Sequence, residues 1–302
     1  MQTQTPARRP VHCRRSWLFL PGADEAALLA GPSSQADVLM QEFEDFTTPA
    51  NRPQARRLAP TVIDQWRRAG VLCAVRINPL DSVDGPADLA AVMAARPDII
   101  AMPKVNEAAQ IVRLDQAIGR LESVHGIATG STEILPNIES ARGLVNLAAI
   151  AAASERVNAC LLASEDLATD LGAERHPDAL ELAYARQRFL LECRAAGVEA
   201  VDFPYTWSSG TDVLIDEINT ARRFGFRAKS CVHPPHAALI NQHLSPSQAD
   251  VDQAMRLVAA FEQARADGRE RVLLDGSLVE LPTYTHATRL LARHRQLQDW
   301  AG

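Results

Sequence analysis

Two carboxylates in this sequence directly follow apolar runs, where a strand would end. Glu139 follows the run in LPNIESARG, and Asp166 follows the run in LLASEDLATDLG. Two such carboxylates can hold Mg²⁺, which takes hard oxygen ligands and keeps positions open for water or substrate. The alternative is that each carboxylate begins a helix, where the helix dipole stabilises negative charge. No His or Cys accompanies them, which disfavours zinc.

The segments MQEFEDFTTP and VRINP supply the next charged candidates. Glu42, Glu44 and Asp45 follow one apolar run, and Arg76 lies inside another. A buried guanidinium needs an anionic partner, either a nearby glutamate or a substrate carboxylate or enolate oxygen. Strand alternation predicts Glu42 and Glu44 on one side of the strand and Asp45 on the other. We expect Glu44 and Asp45 to orient metal-bound water or to partner Arg76 and Lys104.

Lys104 and Lys229 are the only lysines of the chain, and both lie at predicted strand ends. Their retention in an arginine-rich chain indicates that a compact ammonium or a neutral amine is needed there. A compact ammonium suits substrate binding, which we assign to Lys104. A neutral amine would form a Schiff base, the chemistry of a class I aldolase. The alternative is a lysine that extends into solvent from a tight turn.

These residues must be positioned by short apolar runs separated by amphipathic helical segments. Eight runs are found, at residues 16–22, 37–45, 72–78, 98–105, 132–140, 158–166, 199–204 and 228–234. Runs that are apolar throughout are typical of parallel strands buried on both faces. They predict an α/β fold, a TIM (β/α)8 barrel, with a doubly wound sheet as the alternative. Barrel enzymes place their chemistry at the carboxyl ends of the strands, so the charged residues should converge on one mouth.

The chain continues beyond the predicted barrel. The segment PSQADVDQAMRLVAAFEQARADGRE predicts a helix that starts at Ser247, and RVLLDGSLVELP and a basic helix follow it. We assign residues 1–247 to a TIM barrel catalytic domain. Residues 248–302 form a C-terminal helical extension that carries DGSLVELP.

Composition narrows the class of protein. The formal net charge of -6 and the absence of a basic stripe disfavour a nucleic-acid partner. No apolar segment approaches the roughly 20 residues of a membrane span, and the N-terminal apolar segment is too short for a signal peptide. The 5 scattered cysteines are typical of reduced thiols. Hydrolase-elbow, P-loop and dinucleotide motifs are also absent, so we expect a cytoplasmic protein with other chemistry.

The assembled motifs resemble the HpcH/HpaI aldolase and citrate lyase beta-subunit family over nearly the whole chain. The resemblance rests on RRSWLFLPG, VRINPLDS, AMPKVNEA, PNIESARGL, ASEDLATDLGA, RFGFRAKSCVHP and DGSLVELP, in this order. It implies a TIM barrel and a Mg²⁺-dependent carbon-carbon lyase. The implied substrates are thioesters such as citryl-, malyl- or citramalyl-CoA, carried by CoA or an acyl carrier protein. It also implies a homo-oligomer, a trimer or a hexamer.

The same resemblance assigns roles to individual residues. Glu139 and Asp166 would be the Mg²⁺ ligands, and Arg76 would bind the substrate. His233 and Pro234 would lie near the thioester arm. Glu280 would be an acid/base supplied by a neighbouring subunit, and we expect Glu280, Glu44 or Asp45 to move the proton.

Several positions depart from the family pattern. They are Glu42 and Glu280 where the family has Asp, Ala163 and Ala228 where it has Gly, Ser140 where it has Thr, and His236 where it has Gln. The proposed metal ligands and the arginine are retained, so the departures indicate a divergent branch whose acyl substrate is open. The alternatives are a class I aldolase that uses Lys104 or Lys229, and a non-catalytic CoA-binding subunit.

Overall fold

Eight parallel strands close into a barrel, each paired with the next in chain order and the last with the first. This computed structural model describes residues 8–207 and 210–300. The strands are β1 (Ser16–Pro21), β2 (Val38–Glu42), β3 (Leu72–Arg76), β4 (Ile99–Met102), β5 (Glu133–Ile138), β6 (Ala159–Leu162), β7 (Glu199–Asp202) and β8 (Ala228–Cys231). Every predicted run contains a strand, and the predicted TIM (β/α)8 barrel is confirmed.

Helices follow the strands and cover the barrel. They are α1 (Glu25–Ala30), α2 (Arg52–Arg68), α3 (Gly85–Ala94), α4 (Ala108–His125), α5 (Ala141–Val145), α6 (Leu147–Ala151), α7 (Ser164–Leu171), α8 (Ala183–Ala196), α9 (Thr211–Phe224) and α10 (Pro234–His243). The long amphipathic segments around α2 and α8 are helical, as their apolar spacing predicts. Across the described ranges, no helix combines the length and the hydropathy that a membrane crossing requires.

The strand residues divide into two buried apolar layers. Met40, Ala74 and Leu135 belong to the layer that fills the barrel. Their neighbours Leu39 and Ile134 belong to the layer between barrel and helices. Because alternate residues of a strand point to opposite faces, this division tells which strand-end side chains point into the barrel.

The chain forms two compact units, the first ending at Leu244 and the second beginning at Ser245. The second unit contains α11 (Gln248–Ala266), a hairpin of β9 (Val272–Leu274) and β10 (Ser277–Val279), and α12 (Leu281–Gln298). The α11 helix begins where predicted, because the Ser247 hydroxyl accepts a hydrogen bond from the Asp250 N–H at 3.2 Å. The rings of Phe261 and Tyr284 stack between the two helices, with centroids 4.9 Å apart.

Candidate active site at the carboxyl ends of the strands

Arg76, the last residue of β3, is buried among the carboxylates that end and follow β2. Its Nε donates to Glu42 Oε1 at 2.8 Å, and its Nη2 donates to Asp45 Oδ2 at 3.1 Å. Glu44 Oε2 lies 3.4 Å from the same Nη2. Burial opposes the charge of Arg76, but these carboxylates outweigh it and raise the pKa of the guanidinium. Within the described ranges Nη1 makes no hydrogen bond, so one donor group remains for a ligand.

The loop after β2 differs from the predicted strand alternation. The strand ends at Glu42, and the chain then turns so that Glu42, Glu44 and Asp45 all contact Arg76. The fully buried Glu42 carboxylate causes this turn, because it accepts hydrogen bonds from the N–H groups of Glu44, at 2.6 Å, and of Phe46. The prediction that Asp45 faces away from the two glutamates was wrong for this reason.

Lys104, which follows β4, links two of the carboxylates. Its backbone N–H donates to Glu139, and its ammonium donates to Glu44. The residue has φ +55°, a left-handed conformation that costs energy for a residue with a side chain and directs the N–H toward Glu139. Burial opposes its charge, but Glu44, Asp45 and Glu139 outweigh burial and raise the pKa of Lys104. An ion-paired ammonium with a raised pKa is unsuited to forming a Schiff base.

Glu139 and Asp166 stand at the ends of neighbouring strands. Glu139 directly follows β5 and is 3% exposed, and its buried Oε2 has no hydrogen-bond partner among the residues that the structure describes. Burial raises the pKa of Glu139 to about 8; Arg76 opposes the shift, and the charges of Asp166 and Glu44 add to it. Asp166 lies in the first turn of α7 and lines a cavity together with Arg76.

This arrangement fits a hard divalent cation. Among the described residues one buried oxygen of Glu139 lacks a hydrogen-bond partner, and the charges of Asp166 and Glu44 add to the effect of burial in disfavouring the ionised carboxylate. Residues 8–207 and 210–300 contain no group of three or more His, Cys, Asp or Glu side chains placed to hold a metal. The protein would therefore supply two carboxylates and leave the remaining positions to water and substrate, as Mg²⁺ prefers.

Asp202 and Lys229 do not reach the mouth, contrary to the prediction for all strand-end charges. The Lys229 ammonium is fully buried and contacts Asp202 Oδ2, Glu217 Oε2 and the Phe203 carbonyl oxygen, at 2.7, 2.7 and 2.6 Å. Arg186 of α8 completes the cluster with contacts of 2.6 Å to the same two carboxylates. Because Glu217 lies on α9, Lys229 points outward toward the helices, away from Arg76 and Glu139.

The remaining predicted residues lie at two places. His233 and Pro234 are exposed at the start of α10, and the His233 ring lies 5.0 Å from the ring of His236. Burial and the charges of His233 and Lys229 lower the pKa of His236. Glu280 is exposed in the second unit, directly before α12.

Asn137 lies at a predicted strand end together with Glu139, but sequence reasoning assigned it no role, although alternation from Glu139 places it on the inward face of β5. Asn137 is fully buried, and within the described part of the chain neither its Nδ2 nor its Oδ1 has a hydrogen-bond partner. Buried amides are normally paired, so this one is an unusual group directly beneath the candidate metal ligand. The two-residue spacing from Glu139 was the signal available in the sequence.

Comparison with known proteins gives the chain a family. The model of the family described as HpcH/HpaI aldolase/citrate lyase matches residues 15–234. The citrate lyase subunit beta of Haemophilus influenzae is 34% identical over 280 residues, which cover 93% of this chain and 96% of that protein. A (3S)-malyl-CoA thioesterase of Cereibacter sphaeroides is 32% identical over 283 residues, covering 94% of this chain and 95% of that protein.

A solved structure agrees with the sequence matches. Protein CitE from Mycobacterium tuberculosis, in complex with magnesium, acetoacetate and coenzyme A, matches with a TM-score of 0.76 and 26% identity. The match covers 93% of this chain and 98% of that one. The predicted family is confirmed, and with it the prediction of an enzyme of the lyase class. The chain belongs to the HpcH/HpaI aldolase/citrate lyase family.

Proposed function

We propose that the protein is a Mg²⁺-dependent carbon-carbon lyase that cleaves a 3-hydroxy-acyl thioester into a 2-oxo acid and a shorter acyl thioester. One observation carries the proposal: a buried oxygen of Glu139 that has no partner among the described residues belongs to the same strand-end cluster as Asp166 and Arg76. Relatives named for citrate lyase and malyl-CoA thioesterase support the substrate class. The CitE complex with magnesium and coenzyme A supports the cofactor.

Glu139 and Asp166 are the residues that would hold the cation. When bound, Mg²⁺ supplies positive charge to the carboxylate and hydroxyl oxygens of the 2-oxo-acid half of the substrate. Lys104 holds the first ligand in place through its backbone N–H, since that group donates to Glu139. The Lys104 ammonium neutralises Glu44 at the edge of the site, which supports its expected role near the substrate.

The cleavage requires one proton acceptor and one site for developing negative charge. The hydroxyl proton leaves, the bond between the hydroxyl-bearing carbon and the carbon next to the thioester breaks, and the electron pair moves onto the thioester carbonyl oxygen. Arg76 Nη1, which has no partner among the described residues, donates to this oxygen as its charge grows. The carbon then takes up a proton, which yields the shorter thioester.

Asp45 is the better placed of the two loop carboxylates to accept the hydroxyl proton. It lines the cavity, and its side chain is 45% exposed. Glu44 is buried and is tied to Lys104. We assign the return of a proton to the enolate carbon to Glu280, contributed by another copy in a homo-oligomer. The thioester arm, from CoA or an acyl carrier protein, would enter past the exposed His233 and Pro234.

The test is turnover of a panel of malyl-, citramalyl- and citryl-CoA with Mg²⁺, read as release of 2-oxo acid. We expect activity that EDTA removes and that Asp166→Asn and Glu139→Ala abolish. Asp64→Asn is the control, because Asp64 is a half-exposed carboxylate on α2 that pairs with Arg68 and does not line the cavity. Calorimetry should show Mg²⁺ binding to the wild type and to Asp64→Asn, but not to Asp166→Asn. Equal turnover by wild type and Glu139→Ala would contradict the metal assignment.

The same panel separates the alternatives. Free thiol without 2-oxo acid would identify a thioesterase. Activity that survives EDTA, with borohydride trapping of pyruvate, would identify a Schiff-base aldolase. CoA binding without any turnover would identify a non-catalytic subunit.

A further inference from the structure

A small cavity adjoins Arg76 and Asp166, and its walls are of two kinds. It has a volume of about 110 Å³, and its charged lining residues are Asp45, Glu165, Asp166 and Arg76. The rest of its wall is mainly apolar: Phe19, Phe46, Leu161, Ala163, Pro204 and Val232. The methyl group of Ala163 adds to this apolar wall, at a position where the family pattern has glycine.

The hydroxyl groups in the wall are already used. Ser230 Oγ donates to the Asp202 carbonyl oxygen at 2.9 Å. Thr206 Oγ1 and Ser164 Oγ donate to Glu165 Oε1, at 3.1 and 3.3 Å. None of these hydroxyl groups therefore has a hydrogen left to donate to a bound carboxylate.

Positive charge in the cavity is also limited. Arg76 is the one cation among the described residues that line it, and three carboxylates already surround it. Arg175, which pairs with Glu165, is in turn held by Glu181. A substrate carboxylate directed at the apolar lining residues would meet no free hydroxyl group and no second cation there, which disfavours its burial.

The candidate thioesters differ at one position. Their hydroxyl-bearing carbon carries a carboxylate and a third substituent: hydrogen in malyl, methyl in citramalyl and carboxymethyl in citryl thioesters. We place the carboxylate and the hydroxyl near Asp166 and Arg76, so the apolar lining residues remain for the third substituent.

We propose that this enzyme takes 3-hydroxy-acyl thioesters with a single free carboxylate and an apolar third substituent, and that it rejects a carboxymethyl group. Phe46 and Leu161 are the specificity-determining residues. This inference rests on the proposed lyase function. A methylene-sized change in an apolar site alters kcat/KM by roughly 10- to 200-fold, so a methyl substituent should be preferred over hydrogen by about 10-fold.

The first test compares kcat/KM for citramalyl-, malyl- and citryl-CoA. We expect citramalyl-CoA to exceed citryl-CoA by at least about 10-fold. The second test changes the lining of the cavity. Phe46→Arg adds a cation at a lining residue that is 43% exposed, so the fold should tolerate it. Phe46→Arg should shift the preference toward citryl-CoA by about 10-fold, whereas Phe46→Leu should not. Leu191→Arg, at an exposed position on α8, controls for the added charge.

A binding measurement separates this inference from the proposed function. Calorimetry with Mg²⁺ should show tighter binding of pyruvate, the product with a methyl group, than of oxaloacetate, the product with a carboxymethyl group. Equal or tighter binding of oxaloacetate, or equal turnover of citryl-CoA, would overturn the inference while leaving the lyase assignment intact. Absence of turnover with the whole panel, together with pyruvate binding that Phe46→Arg leaves unchanged, would overturn both.

Discussion

Glu42 Oε1 accepts hydrogen bonds from Arg76 Nε at 2.8 Å and from the Glu44 N–H at 2.6 Å, and Oε2 accepts one from the Phe46 N–H of the same loop. One buried side chain thus fixes both the arginine at the end of β3 and the loop that carries Asp45. The nearby Gly22 reinforces this junction, since a Cβ there would lie 2.3 Å from the Glu42 carbonyl oxygen. Glu42 therefore acts on the site by positioning other groups.

Replacing Glu42 tests this role. Glu42→Ala should lower the free energy of unfolding by about 3–5 kcal/mol, because the buried Arg76 guanidinium loses the one fully buried carboxylate of its three partners. Glu42→Asp keeps the charge but is one methylene shorter, so it cannot hold Arg76 and the loop together. It should lower kcat/KM by the equivalent of about 1.5–3 kcal/mol, the value of one hydrogen bond to a charged group. Urea unfolding and steady-state kinetics measure the two effects.

The matched control is Glu165→Ala. The Glu165 side chain is 55% exposed and lies 3.2 Å from Arg175. An exposed ion pair contributes at most about 1 kcal/mol, so the stability of this variant should stay near that of the wild type. Equal stabilities for Glu42→Ala and Glu165→Ala would contradict the role assigned to Glu42.

The raised pKa of Glu139 predicts that the stability of the metal-free protein depends on pH. Burial raises its pKa from 4.5 to about 8 in the folded state. Between these values the unfolded chain loses the proton while the folded chain keeps it, so the free energy of unfolding falls as pH rises and levels off above about 8. We expect this fall in wild type relative to Glu139→Gln, measured by urea unfolding in EDTA.

Excess Mg²⁺ provides the internal control for that experiment. A cation stabilises the ionised carboxylate, so the difference between wild type and Glu139→Gln should shrink when EDTA is replaced by Mg²⁺. A flat difference across the whole range in EDTA would show that Glu139 does not titrate as expected.

The sequence predicts the barrel well because its strands are buried on both faces and therefore read as uninterrupted apolar runs. It also predicts Arg76, Glu139 and Asp166 near the strand ends, since charged residues interrupt those runs. The direction of a side chain there depends on where the strand stops. Lys229 lies inside β8 on its outward face, while Asp45 lies beyond the end of β2 in a loop shaped by Glu42. An apolar run in the sequence does not show at which residue the strand ends.

The two lysines should behave differently on substitution. Lys229→Met should destabilise the fold by about 3–5 kcal/mol, because it leaves Asp202 and Glu217 buried with only Arg186. Lys104→Met removes an ammonium whose side chain is 49% exposed, so it should cost about 1 kcal/mol or less. Chemical denaturation of both variants measures this contrast.

Borohydride treatment in the presence of pyruvate tests whether Lys104 or Lys229 forms a Schiff base. Neither lysine should form a trapped adduct, because both ammonium groups are held in ion pairs with carboxylates. An adduct in the wild type that Lys104→Met or Lys229→Met removes would contradict this prediction and support the class I alternative.

Replacing Asn137 with leucine should raise the stability of the fold and lower the activity. Its buried amide lacks partners within the described ranges, and such a group costs about 1–3 kcal/mol. Asn137→Leu has a similar shape and should raise the free energy of unfolding by about that amount. We expect it to lower kcat/KM, because the amide lies one inward position below Glu139. Asn158→Leu changes an exposed residue directly before β6, so it should alter neither the stability nor kcat/KM. Lower stability and unchanged kinetics for Asn137→Leu would contradict the prediction.

Glu280 can be tested for a role across subunits. If it completes the site of another copy, Glu139→Gln and Glu280→Gln should each be inactive alone and should restore activity when they are co-expressed in one oligomer. Random mixing places an intact Glu139 opposite an intact Glu280 in about one quarter of sites, so activity should approach that fraction of wild type.

Two tags on the co-expressed chains allow purification of mixed oligomers. Glu270→Gln serves as the control, because Glu270 is an acidic residue that lines the same pocket of the second unit as Glu280. Glu270→Gln should be active alone and should not alter the complementation. If the mixed oligomers remain inactive while Glu280→Gln alone is inactive, then each chain supplies its own acid/base and the proposed sharing is wrong. Full activity of Glu280→Gln alone would instead return the proton transfer to Asp45, the carboxylate that already lines the cavity.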